Sequence, residues 1–469
     1  MNSQLRLYCD TSQLSELRQF LEEILDETTL SEIEQHQVIL AVEEVCANLI
    51  IHSHGCNPED EIQLEIKDLN EGLIFEITDQ GLAFNLLEYE EIPHHLPSCV
   101  GQSGGRFLPD VHQDTVVFGA NALTKLVLEH QIDLRDVSRI YVGTESSIDS
   151  SKPIASFLVS LMEQKFGQGC LSHCDAVDFT FACIGGVDAM QNCMDFVRLH
   201  PEKKTIVVTS DIAKYDLNST GEYTQGAGAL AMVIASNPRI IAFENHWATS
   251  TKGVFDFFKP YRCISKSDIT GSTNNEDWFS NLEAEIEIHK DQPVFDGQYS
   301  NQCYMDRIRE AYFLFKQLKN SEVTIYNSWS SIVMHLPYSF QGRRMLTEIY
   351  ALDSKEIEMD VQSLDYQNKL KEIGKSEAYQ NFVTEKLQPA EIASSLIGNL
   401  YTGSVFMGLL STLSHFYAND TPIEGNVFGF LAYGSGSKSK VFEGVIQNKW
   451  RAALAKTQLF ETLEKNHAI

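Results

Sequence analysis

The spacing of apolar and polar residues divides the chain into a short N-terminal region and a longer C-terminal region. In the first region, helical spacing predicts amphipathic helices over residues 13–24 and 30–54. Strict alternation predicts two strands, IQLEIKDL and GLIFEITD, joined by a turn that contains Gly72. Together these elements predict a small α+β unit.

A polar junction over residues 97–107 follows, and beyond it helical and strand patterns alternate to the C-terminus. The predicted elements include helices over 115–130 and 152–166 and the strands SRIYVGT, KTIVVTS and ALAMVIA. Such alternation predicts a layered α/β architecture with helices on both faces of a sheet.

One cysteine lies between a predicted strand and a predicted helix. Residues 177–182 alternate as in a strand, and apolar residues recur at helical spacing from Val187, so we expect Cys183 at a strand-to-helix turn. The dipole of the helix would favour thiolate over thiol, and Gly185 and Gly186 would let a substrate approach the backbone. The alternative is a small buried core cysteine, which this segment alone favours.

Composition narrows the class of protein. The 469 residues, 43% of them hydrophobic, suffice for two or three domains. A net charge of −29 argues against non-specific binding to nucleic acid or anionic membranes. Ten cysteines without a CxxC pair favour reduced thiols over disulfides or a zinc site. With neither a transmembrane-length apolar run nor a signal-peptide pattern, we expect a soluble, cytoplasmic protein.

The predicted helix over 30–54 carries a second candidate site. Glu44, Asn48 and His52 share one helix face, and Asp79 and Gly81 follow at the end of the second strand. Spacing alone favours a solvated polar face over a ligand site. The segments nevertheless resemble the N box and first glycine box of the Bergerat-fold, histidine-kinase-like ATPases, most closely the anti-sigma-factor serine kinases.

That resemblance implies a partial ATPase module over residues 1–96 with a vestigial ATP/Mg²⁺ site. Asn48 would bind the magnesium ion, Glu44 would activate the attacking hydroxyl, and Asp79 would recognise adenine. The match ends at Gly105, before the glycine-rich box that closes over the phosphates in that family. Loss of this box argues against ATP hydrolysis and kinase activity.

Eight separated motifs beyond residue 106 occur in the order found in one enzyme family. They are GTESSIDSSKP, DFTFACIGGVDA, SDIAKYDLNSTGEYTQGAGA, FDFFKP, PVFDGQYSNQCY, MHLPYSFQGRRM, IGNLYTGS and YGSGS. On these motifs the region resembles the hydroxymethylglutaryl-CoA synthases, which have the thiolase fold. The resemblance implies a layered α/β/α/β/α fold in two halves, 108–237 and 238–469. It also implies condensation of acetyl-CoA with acetoacetyl-CoA in the mevalonate route to isoprenoids.

The same resemblance implies three catalytic residues. Cys183 would carry the acetyl group, Glu145 would remove a proton from its methyl group, and His335 would contact the acetoacetyl carbonyl and protonate the alkoxide. The residue types suit this chemistry, because a thiolate attacks a thioester and leaves again easily, and a carboxylate is a suitable base. Considered alone, Glu145 would be interpreted as a solvated charge and His335 as a structural residue. Their occurrence together and in order favours an active site.

Further residues are expected around these three. Backbone N–H groups of Cys183 and of the turn at Ser435 would hold the oxyanion. Asn399 would contact the acetoacetyl group, and Asp211 and Asp256 would line or support the pocket. Each of the last three has an alternative role as a turn or cap residue.

Two departures from the family pattern affect these expectations. Phe340 stands where many relatives have lysine, which leaves Arg343 and Arg344 as the nearest candidates for binding CoA. The strand, helix and turn with which that family normally begins are absent. Either GLIFEITD takes the place of the missing strand, or the first half has an open sheet edge.

The resemblance implies CoA thioesters as substrates, no required cofactor or metal ion, and a homodimer. The sequence also leaves two other kinds of enzyme with this fold as alternatives. A ketoacyl synthase would want a second histidine or a His–Asn pair instead of Glu145, and a polyketide β-branching synthase would take a carrier-protein thioester. A different class is a regulatory protein with an N-terminal nucleotide sensor and an inactive synthase body.

Overall fold

The computed structural model divides the chain into two compact units, residues 1–94 and 95–469, which are treated separately below. It describes residues 2–10, 13–26, single residues between 28 and 50, 57–69, 72–79, 109, 113–216, 219, 221–265, 285–289, 291–357, 364–457 and 459–467. No helix within these ranges is long and apolar enough to cross a membrane.

The N-terminal unit contains an antiparallel three-stranded sheet and a helix. Its elements are β1 Asn2–Tyr8, α1 Leu14–Leu25, β2 Glu61–Leu69 and β3 Gly72–Asp79, and the strand order is β1-β2-β3. Leucines of α1 pack with Leu7 of β1 and Leu64 of β2 in one apolar cluster. The prediction of α1, β2 and β3 is confirmed, whereas β1 was not predicted. Most of the helix predicted over 30–54 lies outside the described residues.

The larger unit alternates helices and strands, as the sequence predicts. Its strands are β4 Val137–Gly143, β5 Asp175–Phe179, β6 Lys204–Ala213, β7 Gly226–Ala235, β8 Ile241–Thr251, β9 Phe257–Phe258, β10 Tyr261–Ser265, β11 Glu285–His289, β12 Val294–Phe295, β13 Ser331–Met334, β14 Val427–Gly434 and β15 Lys438–Ile446. Its helices are α2 Thr115–His130, α3 Ile154–Phe166, α4 Gly185–Leu199, α5 Gly297–Leu318, α6 Gln341–Asp353, α7 Leu364–Lys375, α8 Glu377–Lys386, α9 Gln388–Ile397, α10 Ser404–Ala418, α11 Trp450–Leu454 and α12 Leu459–His467.

Two four-stranded sheets form the framework of this unit. The first has the order β5-β4-β6-β7, in which β7 is antiparallel to β6 and the other pairs are parallel. The second has the order β13-β14-β15-β8, in which β13 and β14 are parallel and the other pairs are antiparallel. In each sheet, the parallel strands are therefore followed by at least one antiparallel strand.

Alternation along the strands builds five layers. Tyr141 of β4 and Val333 of β13 face a core that they share with α4 and α10, so these two helices lie between the sheets. The neighbours Ile140 and Val142 face the opposite side, where α2 and α3 pack. Ile332 faces α5 and α6 on the outer side of the second sheet. Because successive strand residues point to opposite faces, one strand serves two cores. The predicted α/β/α/β/α layering is confirmed.

The two sheets differ at one edge. In the second sheet β15 is covered by β8 along its length, whereas in the first sheet β7 pairs with β6 alone among the described strands. The segment GLIFEITD forms β3 and pairs with β2 in the N-terminal sheet. The alternative in which it replaces the missing strand of the first half is therefore wrong.

Candidate active site

The turn that carries Cys183 is tightly built. Strand β5 ends at Phe179 and α4 begins at Gly185, so the strand stops four residues before the cysteine. Ala182 has a φ of 40°, a left-handed conformation that is uncommon for a residue other than glycine. The N–H of Gly185 donates to the Ala182 carbonyl over 3.3 Å. This turn holds Cys183 with only 7% of its surface exposed.

The two glycines after Cys183 serve packing within the protein. A Cβ atom on Gly185 would lie 2.5 Å from the Phe179 carbonyl oxygen, and one on Gly186 would lie 2.8 Å from the Thr402 carbonyl oxygen. Both residues are buried. The expectation that they let a substrate approach the backbone is therefore wrong, because protein atoms occupy the space beside them.

Glu145 lies directly beside Cys183. The Cys183 thiol donates to Glu145 Oε2 over 3.6 Å, and the Glu145 side chain is 6% exposed. Asp211 fixes this arrangement from the adjacent strand. Its Oδ1 accepts from the Glu145 N–H over 2.8 Å, and its Oδ2 accepts from the Thr402 N–H over 3.1 Å. The structure thus brings together Cys183, Glu145 and Asp211 from three separate motifs.

The protonation states follow from burial. Burial raises the pKa of the Cys183 thiol well above its usual value, and the nearby Glu145 and Asp211 carboxylates raise it further. These contributions favour the thiol over the thiolate, which is the opposite of the direction expected from the helix dipole. Burial also raises the pKa of Glu145 to about 7, while the charge of Lys259 opposes this shift. Glu145 is thus poised to accept and return protons near neutral pH.

The hairpin turn after β14 packs against the cysteine turn. A Cβ atom on Gly434 would lie 2.9 Å from the Ile184 nitrogen, so the two backbones are in close contact beside Cys183. Ser435 follows within the turn. Asp256 holds the turn in place, since its carboxylate accepts from the Gly436 N–H over 2.7 Å and from the Tyr433 hydroxyl over 2.9 Å. The turn that carries Ser435 therefore packs against the turn that carries Cys183.

His335 lies at the end of β13, next to the strand that leads to this hairpin turn. Its N–H donates to the Leu431 carbonyl over 3.1 Å, and its carbonyl accepts from the Tyr304 hydroxyl over 2.5 Å. The residue is 2% exposed, and burial lowers the pKa of the imidazole to about 3. Nδ1 has no hydrogen-bond partner among the described residues. His335 is therefore a neutral imidazole, and its Nδ1 is a buried ring nitrogen without a hydrogen bond from the described residues.

Aromatic residues enclose the site. Cys183, Tyr215 and Tyr401 belong to one apolar cluster against which Phe257 packs. The Asn399 Oδ1 accepts from the Tyr401 N–H over 2.9 Å, and its amide lies 3.5 Å from the Tyr215 hydroxyl. Asn399 is thus a turn residue in contact with the aromatic wall. Neither tyrosine was singled out from the sequence, although both fall within the motifs that did point to the site.

The two arginines expected near CoA have different surroundings. Arg343 forms a two-pronged ion pair with the buried Glu391, with nitrogen–oxygen distances of 2.9 and 2.6 Å. The Arg344 guanidinium lies on the surface and donates to the Tyr338 hydroxyl over 3.0 Å. Arg343 is already neutralised by its partner, so Arg344 is the better candidate for an anionic ligand.

The candidate nucleotide site is largely beyond what the structure describes. Glu44, Asn48 and Gly81 lie outside the described residues, and Asp79 ends strand β3. No group of three or more His, Cys, Asp or Glu side chains in the described ranges is arranged to hold a metal ion.

Three family models match the chain. They are "Hydroxymethylglutaryl-coenzyme A synthase N terminal" over residues 94–239, "Hydroxymethylglutaryl-coenzyme A synthase C terminal" over 284–468, and "Histidine kinase-like ATPase domain" over 9–100. The chain is 31% identical over 334 residues to the hydroxymethylglutaryl-CoA synthase of Enterococcus faecalis. The matched region covers 71% of each protein. It is 26% identical over 364 residues to that of Haloferax volcanii, covering 73% of this chain and 75% of the relative.

Solved structures are similar over the same region. MvaS in complex with 3-hydroxy-3-methylglutaryl coenzyme A is 25% identical with a TM-score of 0.61, covering 75% of this chain and 77% of that one. The curacin-pathway HMG synthase in complex with acetyl donor-ACP is 17% identical with a TM-score of 0.58, covering 76% and 75% of the two chains, and supports the fold alone.

Proposed function

Because the chain belongs to the hydroxymethylglutaryl-CoA synthase family, we propose that it condenses acetyl-CoA and acetoacetyl-CoA, with one water, to 3-hydroxy-3-methylglutaryl-CoA and CoA. The observation that carries this proposal is the buried pair of the Cys183 thiol and the Glu145 carboxylate, 3.6 Å apart. A nucleophile and a base in contact in an apolar pocket are what thioester chemistry requires.

The first step is acetyl transfer. The Cys183 sulfur attacks the acetyl thioester, its proton passes to Glu145, and the bond to the CoA sulfur breaks. Backbone N–H groups of Cys183 and of the turn at Ser435 hold the oxyanion that forms between attack and departure. The close contact of Gly434 with the cysteine turn supports this assignment. The departing CoA sulfur takes up the proton, which leaves Glu145 ionised.

The second step forms the carbon–carbon bond. Glu145 removes a proton from the acetyl methyl group, and the resulting carbanion attacks the ketone carbon of acetoacetyl-CoA. The neutral His335 donates a hydrogen bond to that ketone oxygen as it becomes an alkoxide. The alkoxide then takes up the proton that Glu145 removed from the methyl group, which leaves Glu145 ionised again and His335 neutral. Water finally hydrolyses the thioester to Cys183. The burial of His335 supports this role, because a neutral imidazole donates without carrying a charge.

Several features outside the reacting groups belong to the same proposal. Asn399 contacts the acetoacetyl group, Asp211 and Asp256 hold the two turns, and Arg344 contacts a phosphate of CoA. We also expect the chain to form a homodimer and to be located in the cytoplasm. Sedimentation velocity tests the first expectation and cell fractionation tests the second.

The choice between CoA esters and carrier-protein esters is decided by a direct assay. We expect condensation with free acetoacetyl-CoA to exceed, by at least about tenfold in kcat/KM, condensation with the same acyl group on a phosphopantetheinyl carrier protein. Each donor is assayed at equal concentration by following the loss of acetoacetyl thioester. A preference for the carrier-bound ester would instead support a polyketide β-branching synthase.

We further propose that the N-terminal unit binds ATP with Mg²⁺, since the histidine-kinase-like ATPase model matches residues 9–100. Asp79 would accept a hydrogen bond from the adenine amino group. We expect Asp79→Ala in the full-length chain to weaken ATP binding at least about tenfold in calorimetry, because a buried base edge loses its acceptor. A parent chain that shows no saturable binding contradicts this second proposal and leaves the synthase proposal untouched.

A further inference from the structure

One cation lies in the pocket that no part of the proposed mechanism uses. Lys259 follows strand β9, and its Nζ is 3.4 Å from Glu145 Oε1. The same ammonium donates to the Glu145 carbonyl oxygen over 3.1 Å and lies 4.6 Å from the centre of the Tyr401 ring. Its side chain is 9% exposed, so this ion pair is shielded from solvent.

The pairing leaves one oxygen of the carboxylate without a hydrogen bond from the described residues. Oε2 accepts from the Cys183 thiol, whereas Oε1 has no hydrogen bond from a described residue despite its distance of 3.4 Å from the ammonium. The attraction of Lys259 is therefore mainly Coulombic, which stabilises the negative charge without occupying the oxygen. Such an oxygen keeps its capacity to accept a proton, because no hydrogen bond occupies it.

The effect of the Lys259 charge on Glu145 depends on the other groups around this carboxylate. In the described part of the chain, the titratable groups that face it are Cys183, Asp211, Tyr215, Tyr401 and Lys259. Lys259 is the one cation in this set. Burial and the Asp211 carboxylate both raise the pKa of Glu145, and Lys259 opposes them.

We propose that Lys259 is a positioning residue that keeps Glu145 ionised, and hence able to accept a proton, in the buried pocket. This inference rests on the proposed function for its catalytic meaning, although the charge on Glu145 can be measured independently. It assigns Lys259 a role that the motif FDFFKP alone does not reveal, since the sequence gives no reason to place this lysine beside Glu145.

The test is the pH dependence of kcat/KM in Lys259 variants. In the parent chain we expect activity to rise with pH through about 7, because Glu145 must lose its proton to act. Removing the cation raises the pKa of Glu145, so the acid limb of Lys259→Met moves upward by about one pH unit or more. Activity at the midpoint of the parent then falls about fivefold and recovers at higher pH.

Three variants separate charge from structure. Lys259→Arg keeps the charge and is expected to keep the acid limb of the parent. Lys259→Gln loses the charge but retains a donor for the Glu145 carbonyl oxygen, and is expected to shift like Lys259→Met. Lys214→Met removes an exposed lysine paired with Asp291 and is expected to leave the profile unchanged. The inference would be overturned if the acid limb stays in place in Lys259→Met and Lys259→Gln. It would also be overturned if Lys259→Met, Lys259→Gln and Lys259→Arg all lose activity equally at every pH.

A second readout does not depend on turnover. Infrared difference spectra of each chain against the matching Glu145→Gln variant report the protonated carboxyl of Glu145 as pH is varied. We expect its midpoint to lie higher in Lys259→Met than in the parent, and an unchanged midpoint contradicts the inference. If the parent shows no condensation at any pH, the proposed function fails while this titration still decides the role of Lys259.

Discussion

Replacing Cys183 by alanine is expected to lower the rate of condensation by at least about 10⁴-fold, because among the described residues Cys183 is the one thiol in contact with Glu145 that can carry the acetyl intermediate. Glu145 is placed to accept protons, and His335 is a neutral imidazole on a different strand. Without the sulfur, neither residue forms a thioester whose methyl protons are acidic enough to remove. The measurement is the steady-state loss of acetoacetyl-CoA at saturating acetyl-CoA.

The control for this variant is a cysteine elsewhere in the same unit. Cys170 lies in the loop between α3 and β5 and is partly exposed, so Cys170→Ala is expected to retain the activity of the parent. Residual turnover of Cys183→Ala within about 100-fold of the parent would show that acetyl transfer follows another route.

Replacing Glu145 by glutamine is expected to separate the two halves of the reaction. Condensation falls by about 10³- to 10⁴-fold, because the methyl group of a thioester is a weak carbon acid that requires a positioned base. Acetylation of Cys183 persists within about tenfold of the parent rate. The Glu145 charge raises the pKa of the thiol, so a neutral amide lowers that pKa and offsets the loss of the proton acceptor.

Rapid-quench mass measurements of acetyl-enzyme, run beside steady-state condensation, check this separation. Glu202→Gln removes an exposed carboxylate from the turn before β6 and serves as the matched control. If Glu145→Gln loses acetylation and condensation by the same factor, Glu145 acts chiefly on the thiol and a different group removes the methyl proton.

The layered fold was predictable because its signal is local. Tyr141 and its neighbours alternate between two cores, and the apolar residues of α4 recur at helical spacing. A few consecutive residues therefore suffice to predict the type of each element. Strand β1 was missed because Leu5 and Leu7 are the only apolar residues that alternate within a polar segment too short to show a period. The antiparallel partner of β15 depends on contacts between distant segments, which alternation does not specify.

The candidate site was predictable in part. Cys183, Glu145 and His335 were identified by resemblance and by the types of residue that the chemistry needs. Their protonation states were not, because the pKa of a thiol or an imidazole depends on burial, and burial depends on packing from several elements. Lys259 was missed for the same reason. It is 114 residues from Glu145 along the chain, and only the fold brings the two charges together.

The central claim is that Cys183 and its surroundings form a working acyl-transfer site, and intact-mass measurement after brief incubation with acetyl-CoA tests it most directly. We expect one labile acetyl group on the full-length parent, mapped to Cys183 by peptide sequencing, and none on Cys183→Ala. An unmodified parent chain that is folded and soluble would contradict the account and favour a regulatory protein with an inactive synthase body.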